Sequence, residues 1–300
     1  MVGLASLLGV VGQAALLAYC SPAKYPDEST VIRSPKRWLS LPPTPSLPSY
    51  SGGKYAKINN IQLWYDSFGP SNPHRSPIFF LHGGLGNSDY FGEQVQFFNG
   101  KGFKVVTVDS RGHGRSTTDF DIPLSYDLMS EDFVALLDYL HIPKASFVGW
   151  SDGAINALNI AAKHPSRVDK VFAFAANYNP SGVMDTTLSP VFSTYVNRTI
   201  LEYNRLSLHP DRYDEFLNQI LQMWQEQPNW TESFFSTINA TNVWIVDGDH
   251  EEAVYRSQQD DMARWLPDAG QLLLPQVSHF AFIQDPDIFN AMLWSFLGRD

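Results

Sequence analysis

Cysteine is almost absent from this sequence. Cys20 is the only cysteine among 300 residues, and no Cys/His spacing typical of a zinc site occurs. An intrachain disulfide framework is therefore excluded. A chain of this length with 44% hydrophobic residues can bury a sizeable core without one. The sequence also lacks an internal repeat, which argues against a solenoid or a propeller.

Positive charge is also scarce. Lys and Arg number 21 against 31 Asp and Glu, so the formal net charge is -10 at pH 7. A chain with this balance is not expected to bind nucleic acid or an anionic membrane surface. Since net charge does not identify a substrate, the class of ligand has to come from the motifs.

The first 23 residues lack charged side chains altogether. Residues 4–18 form an apolar run interrupted by polar residues and glycines, which predicts a secretory signal peptide over residues 1–20. An N-terminal membrane anchor is the alternative, although the run is short for a bilayer span. Residues 21–50 are rich in Pro and Ser, which indicates a linker or an extended surface arm.

Three acceptor triplets for N-glycosylation agree with secretion. They begin at Asn197, Asn229 and Asn239, all in the region 190–241. Each triplet alone is a common chance pattern. Together with the apolar N-terminus they predict a secreted glycoprotein, with a membrane-anchored or intracellular protein as the alternatives.

Strand-like apolar runs alternate with helical patterns along most of the chain. Strands are expected at 61–68, 77–84, 104–109, 145–150, 168–177, 242–249 and 270–275, and helices at 126–142, 153–164, 252–266 and 286–297. This order predicts an α/β fold with a mostly parallel central sheet flanked by helices, in one domain over residues 51–300. Residues from about 178 to 240 lack strand-like apolar runs, which predicts a helical cap inserted into that domain.

A serine stands between two glycines where a predicted strand meets a predicted helix. The stretch Gly149-Trp150-Ser151-Asp152-Gly153 predicts a sharp turn that exposes the Ser151 hydroxyl as a nucleophile. Small residues two positions away on each side are needed because side chains there would collide with the turn. The helix that follows directs its free N–H groups at the same point.

Partners for such a serine can be found on other strand ends. The turn after the strand at 77–84 offers the N–H of Gly84 for an oxyanion hole, together with the N–H of Asp152. His279 follows the last predicted strand and is the candidate general base. The triad acid is sought after the penultimate strand, at Asp247, Asp249, Glu251 or Glu252.

These motifs resemble the α/β-hydrolase family, as does the loop Asp109-Ser110-Arg111-Gly112-His113-Gly114-Arg115-Ser116. In that family the acid usually stands three residues after a glycine, which selects Glu251 and leaves Asp249 in reserve. The elbow also resembles that of esterases of the valacyclovir hydrolase type. That resemblance implies that Asp152, and with it Trp150, contacts substrate, although Asp152 can equally serve as a favourable charge at a helix N-terminus.

The resemblance implies a serine hydrolase that cleaves a carboxylic ester or a lactone of low molecular weight. Neither a metal nor an organic cofactor is expected, because the triad itself supplies the nucleophile and the proton transfer. An aminopeptidase or a perhydrolase with the same triad is one alternative. A non-catalytic ligand-binding protein on the same fold is the other.

Overall fold

The structure is a computed structural model that describes residues 36–48 and 52–298. The predicted signal peptide, residues 1–20, lies outside the described residues. So do residues 21–35 and 49–50 of the predicted arm.

An eight-stranded sheet occupies the centre of the described part. Its strands are β1 (Lys54–Ile58), β2 (Ile61–Phe68), β3 (Ile78–Leu81), β4 (Val105–Val108), β5 (Ala145–Trp150), β6 (Val168–Phe174), β7 (Val243–Gly248) and β8 (Gly270–Leu274). Their spatial order is β1-β2-β4-β3-β5-β6-β7-β8. The first two strands pair antiparallel with their neighbours and the other pairs are parallel, which confirms the predicted fold class.

Helices cover both faces of this sheet. They are α1 (Gly92–Gly100), α2 (Tyr126–Tyr139), α3 (Asp152–Lys163), α4 (Pro190–Leu206), α5 (Tyr213–Glu226), α6 (Glu232–Phe235), α7 (Arg256–Trp265), α8 (Ala281–Gln284) and α9 (Pro286–Leu297). Apolar side chains of α2, α3 and α7 share one buried cluster with the sheet, and those of α1 and α9 share the other. Burial on both faces explains why β3, β4 and β5 read as continuous apolar runs.

The sequence pattern did not predict β1 or α1. β1 is an edge strand whose lysines are exposed, and α1 has only nine residues with glycine at both ends, so neither shows a strong apolar period. Within the described part of the chain, no helix combines the length and the apolar character that a membrane span requires.

Three helices connect β6 to β7, in the region predicted as a cap. The side chains of α4 and α5 reach the carboxyl ends of the parallel strands, where Tyr195 donates a hydrogen bond to the carbonyl of Gly84 and Trp224 donates to Asp152. These helices therefore lie over the loops that follow β3 and β5, which is the edge where ligands bind in open α/β sheets.

Residues 36–48 of the predicted arm pack against α4. The Arg198 guanidinium donates to the carbonyls of Leu41 and Pro42, at 3.0 and 2.6 Å. The Thr44 hydroxyl donates to the Glu202 carboxylate at 2.6 Å, and that carboxylate also accepts from the Asn87 amide at 3.1 Å. Glu202 of α4 therefore contacts both this part of the arm and the loop after β3.

Candidate active site

Ser151 occupies a strained turn between β5 and α3. Its backbone has φ 53° and ψ −119°, a region that non-glycine residues rarely adopt. A Cβ at Gly149 would lie 2.3 Å from the Gly153 carbonyl oxygen, and one at Gly153 would lie 1.9 Å from the Leu81 oxygen. Gly149 is therefore needed for β5 to pack against the start of α3, and Gly153 for α3 to pack against β3. The Ser151 side chain is half-buried.

His279 lies in the loop after β8, with 3% of its side chain exposed. Its Nδ1 is 2.7 Å from Oε1 of Glu251. Trp150, which directly precedes Ser151, packs edge-on against the His279 ring with a centroid separation of 5.8 Å. The structure therefore brings His279 to the same strand ends as the serine and pairs it with a buried acid.

Glu251 is the acid that reaches His279, and Asp249 is not. Oε1 of Glu251 also accepts from the backbone N–H groups of Ala253 and Val254, at 2.7 and 3.2 Å. The Asp249 carboxylate instead pairs with Nδ1 of His250 at 2.8 Å and accepts from the N–H of Val277 at 3.3 Å. Of the two acids that the family resemblance left open, only Glu251 contacts the ring of His279.

Glu252 holds the backbone of the histidine loop. Its carboxylate accepts from the Ser278 hydroxyl at 3.0 Å and from the N–H of His279 at 3.2 Å. Burial raises the pKa of Glu252 to about 7, and the neighbouring Glu251 acts in the same direction. Glu252 was one of four carboxylates offered by the sequence, but its contact with the His279 backbone has no signature in the local pattern.

Burial sets the protonation states of the histidine and its acid. It lowers the pKa of His279 to about 4, so the imidazole is neutral at pH 7 and able to accept a proton. Burial also raises the pKa of Glu251 to about 7, although the hydrogen bonds that its carboxylate accepts from N–H groups act in the opposite direction. Among the residues that the structure describes, no group of three or more His, Cys, Asp or Glu has a metal-binding arrangement.

Gly84 and Asp152 adjoin each other across the site. A Cβ at Gly84 would lie 2.6 Å from Oδ2 of Asp152 and 2.2 Å from Cζ2 of Trp224, so only glycine fits there. Asp152 is the first residue of α3, and its N–H therefore has no acceptor within the helix. The two candidate oxyanion donors are thus on adjacent segments beside Ser151.

His82 and the loop after β4 hold the backbone next to Gly83 in place. Nε2 of His82 accepts from the N–H of Ser110 at 2.9 Å, so Nδ1 carries the proton and donates to the Gly83 carbonyl at 2.8 Å. Arg111 forms a buried bidentate ion pair with Asp132, at 2.7 and 2.8 Å. These contacts give His82 and the loop at 109–116 a structural role.

The Asp152 carboxylate lies directly beside the elbow and is only 6% exposed. It accepts from the Tyr126 hydroxyl at 2.8 Å, and the Trp224 indole N–H donates to both of its oxygens, at 3.0 and 2.9 Å. Burial raises its pKa to about 6. Both partners are neutral, and within the described part of the chain Asp152 forms no ion pair with a Lys, Arg or His.

The expected contact between Trp150 and substrate needs correction. The Trp150 side chain is 1% exposed and packs among Tyr90, Tyr195 and Phe282, with centroids 4.7 to 5.6 Å away. A side chain buried in this way supports the elbow and His279 from behind and offers no open face to a ligand.

All three predicted glycosylation asparagines are exposed. Asn197 lies on α4, Asn229 lies between α5 and α6, and Asn239 follows α6. Exposure makes the three side chains accessible for modification, and their glycosylation stays a prediction.

Comparison with known proteins agrees with the fold described above. The sequence model for the α/β hydrolase fold matches residues 76–216, which include the turn after β3, the elbow and helix α4. The chain has the α/β-hydrolase fold. Proteins that resemble the chain are named as hydrolases, esterases and lactonases.

The similar proteins cover different shares of the chain. Human serine hydrolase BPHL is 26% identical over 251 residues, which are 80% of this chain and 84% of the relative. The bifunctional esterase/perhydrolase DCH of Acinetobacter calcoaceticus is 35% identical over 108 residues, 36% of this chain and 38% of the relative. The crystal structure of an enol-lactonase from Burkholderia xenovorans superposes with a TM-score of 0.66 at 18% identity, covering 82% of this chain and all of that one. The protein is therefore a hydrolase, and the last likeness shows the fold alone.

Proposed function

We propose that this α/β-hydrolase cleaves a carboxylic ester or a lactone through Ser151, His279 and Glu251. The observation that carries the proposal is the 2.7 Å contact between Glu251 and Nδ1 of a buried, neutral His279 beside the strained Ser151 turn. In this arrangement Glu251 holds the proton on Nδ1, which leaves Nε2 as the basic nitrogen that takes the Ser151 proton.

The reaction then follows in two steps. His279 takes the Ser151 proton as the oxygen attacks the carbonyl carbon, and Glu251 stabilises the imidazolium that forms. The N–H groups of Gly84 and Asp152 bind the developing oxyanion, and one such donor contributes roughly 3–4 kcal/mol in the transition state. His279 protonates the departing alkoxide, and water attacks the acyl-enzyme by the same route.

Asp152 supports a finer proposal about the substrate. A buried carboxylate that is bonded only to neutral donors interacts more strongly with a cation than with a second neutral group. We therefore propose that the preferred substrates carry an amino group close to the scissile carbonyl. Such a group would replace the Trp224 N–H at the Asp152 carboxylate, so Trp224 has to swing away when this substrate binds.

Screening defines the substrate class. We expect the purified wild type to hydrolyse chromogenic esters or lactones, and Ser151→Ala to lose at least about 10³-fold in kcat. Faster cleavage of aminoacyl arylamides than of the matching esters would instead favour an aminopeptidase. Activity of Ser151→Ala within a few-fold of wild type would contradict the proposal.

The compartment is a separate proposal. The uncharged apolar N-terminus and the three exposed glycosylation asparagines support a secreted protein whose mature chain begins near Ser21. N-terminal sequencing of the product from a eukaryotic host tests this. Recovery of a chain that retains Met1 in the cytosol would overturn it.

A further inference from the structure

Two buried carboxyl oxygens beside the triad meet no hydrogen-bond donor. Asp247 ends β7 with 2% exposure, and its Oδ1 accepts from the N–H of Gly248 at 2.9 Å. Among the described residues, no N–H or O–H reaches Oδ2 of Asp247 or Oε2 of Glu251. Buried polar atoms in proteins are almost always paired, so these two oxygens require an explanation.

Asp247 and Glu251 are four residues apart at the end of β7, and a hydrogen bond between their side chains is among the causes that shift the pKa of each carboxyl group. Two ionised carboxylates cannot form such a bond, because neither has a proton to donate. A single proton held between them satisfies both oxygens at once and removes the repulsion between two buried charges.

The surrounding donors decide which group keeps the proton. Glu251 accepts three N–H groups on Oε1, including that of His279, and these favour its ionised form. Asp247 accepts only the N–H of Gly248. The negative charge is therefore more stable on Glu251 and the proton on Asp247.

Among the residues described by the structure, the other charged groups near Asp247 do not reverse this assignment. Besides Glu251 and His279, the charged groups facing Asp247 are Arg256 and Asp260 on α7, which line a cavity of about 300 Å³ with it. The Arg256 guanidinium donates to the carbonyls of Gly248 and Asp249, at 3.4 and 3.3 Å, and Asp260 accepts from the Gln271 amide. The Glu252 carboxylate accepts hydrogen bonds from the Ser278 hydroxyl and the N–H of His279.

We propose that Asp247 is a positioning residue that keeps a proton at neutral pH and donates it from Oδ2 to Oε2 of Glu251. The triad acid is then one half of a carboxyl–carboxylate pair with a single negative charge directed at His279. In agreement, burial and the charge of Glu251 raise the pKa of Asp247 well above its usual range. The inference rests on the proposed role of Glu251 as the triad acid.

Two substitutions of similar size separate this role from simple packing. Asp247→Asn keeps an N–H donor toward Glu251, whereas Asp247→Leu fills the space with no donor. Without a donor the pKa of Glu251 rises, so the acid limb of kcat/KM in Asp247→Leu should move up by about one to two pH units relative to wild type. In Asp247→Asn the limb should remain within about half a unit of wild type.

A spectroscopic measurement tests the pair independently of activity. In the Ser151→Ala protein, infrared difference spectra with isotopically labelled aspartate should show the carbonyl stretch of a protonated carboxylic acid at pH 7. The additional change Asp247→Asn should abolish that band. Absence of the band, its persistence in the double variant, or an unshifted acid limb in Asp247→Leu would overturn the inference. Failure of the wild type to turn over any ester or lactone would instead refute the proposed function. The infrared measurement would then still show whether Asp247 is protonated.

Discussion

Replacing Glu251 by glutamine removes one negative charge beside His279 and keeps the size of the side chain. The amide oxygen can still accept from the N–H groups of Ala253 and Val254 and from Nδ1 of His279, while the amide N–H₂ points toward Asp247. The tautomer and orientation of the imidazole should therefore be retained. What is lost is the attraction between the carboxylate and the imidazolium that forms in the transition state.

The size of this loss follows from the geometry. A contact of 2.7 Å between Oε1 and Nδ1 puts the two charge centres at about 4 Å, where an ion pair at an effective dielectric constant of about 20 is worth about 4 kcal/mol. That corresponds to a decrease of roughly 10³ in kcat, within a range of 10²–10⁴. Steady-state hydrolysis of the best ester from the screen, with folding checked by circular dichroism, measures the effect.

Asp249→Asn is the matched control, because it removes the same charge from the same loop. Its carboxylate contacts His250 and Val277 and does not reach His279, so kcat should change by less than about threefold. A larger loss in Asp249→Asn than in Glu251→Gln would refute the reasoning. So would a folded Glu251→Gln protein with wild-type kcat.

Three further predictions follow from the charges and the surface of the protein. Asp152→Asn should reduce the preference for aminoacyl esters over the matching acyl esters by about 10- to 100-fold in kcat/KM, because this is the contribution of a charge-assisted hydrogen bond. An unchanged preference would contradict the substrate proposal. Activity should fall as the pH decreases through about 7, because Glu251 gains a proton there while His279, with a pKa of about 4, is still neutral; a pH–rate profile that stays flat down to pH 5 would contradict this order. Protein from a eukaryotic host should lose mass on treatment with an N-glycosidase, and the triple change of Asn197, Asn229 and Asn239 to Gln should abolish that loss.

The sheet was predictable because its central strands are recognisable from their own residues. β3 and β5 are buried on both faces and read as apolar runs, and the Gly149–Gly153 turn follows from the requirement for small residues around Ser151. The place of Glu251 three residues after Gly248 also follows from a local spacing. In each case the determining residues are neighbours in the sequence.

The environment of Asp152 was not predictable for the opposite reason. Tyr126 and Trp224 come to Asp152 from α2 and α5, 26 and 72 residues away along the chain. No local pattern indicates that an aromatic side chain of the cap will cover Gly84, because this depends on how the cap packs over the sheet. The contact between Asp247 and Glu251 likewise depends on side-chain orientation, although both acids lie in one short segment.

The central claim is that Ser151 is a nucleophile activated by His279. Labelling with a fluorophosphonate followed by peptide mapping tests it most directly, because the reagent reports the nucleophile without knowledge of the substrate. The account predicts a single adduct on Ser151 in the wild type, none in Ser151→Ala, and labelling slowed at least about 10²-fold in His279→Ala. An adduct on another residue, or equal labelling rates in the wild type and His279→Ala, would contradict it.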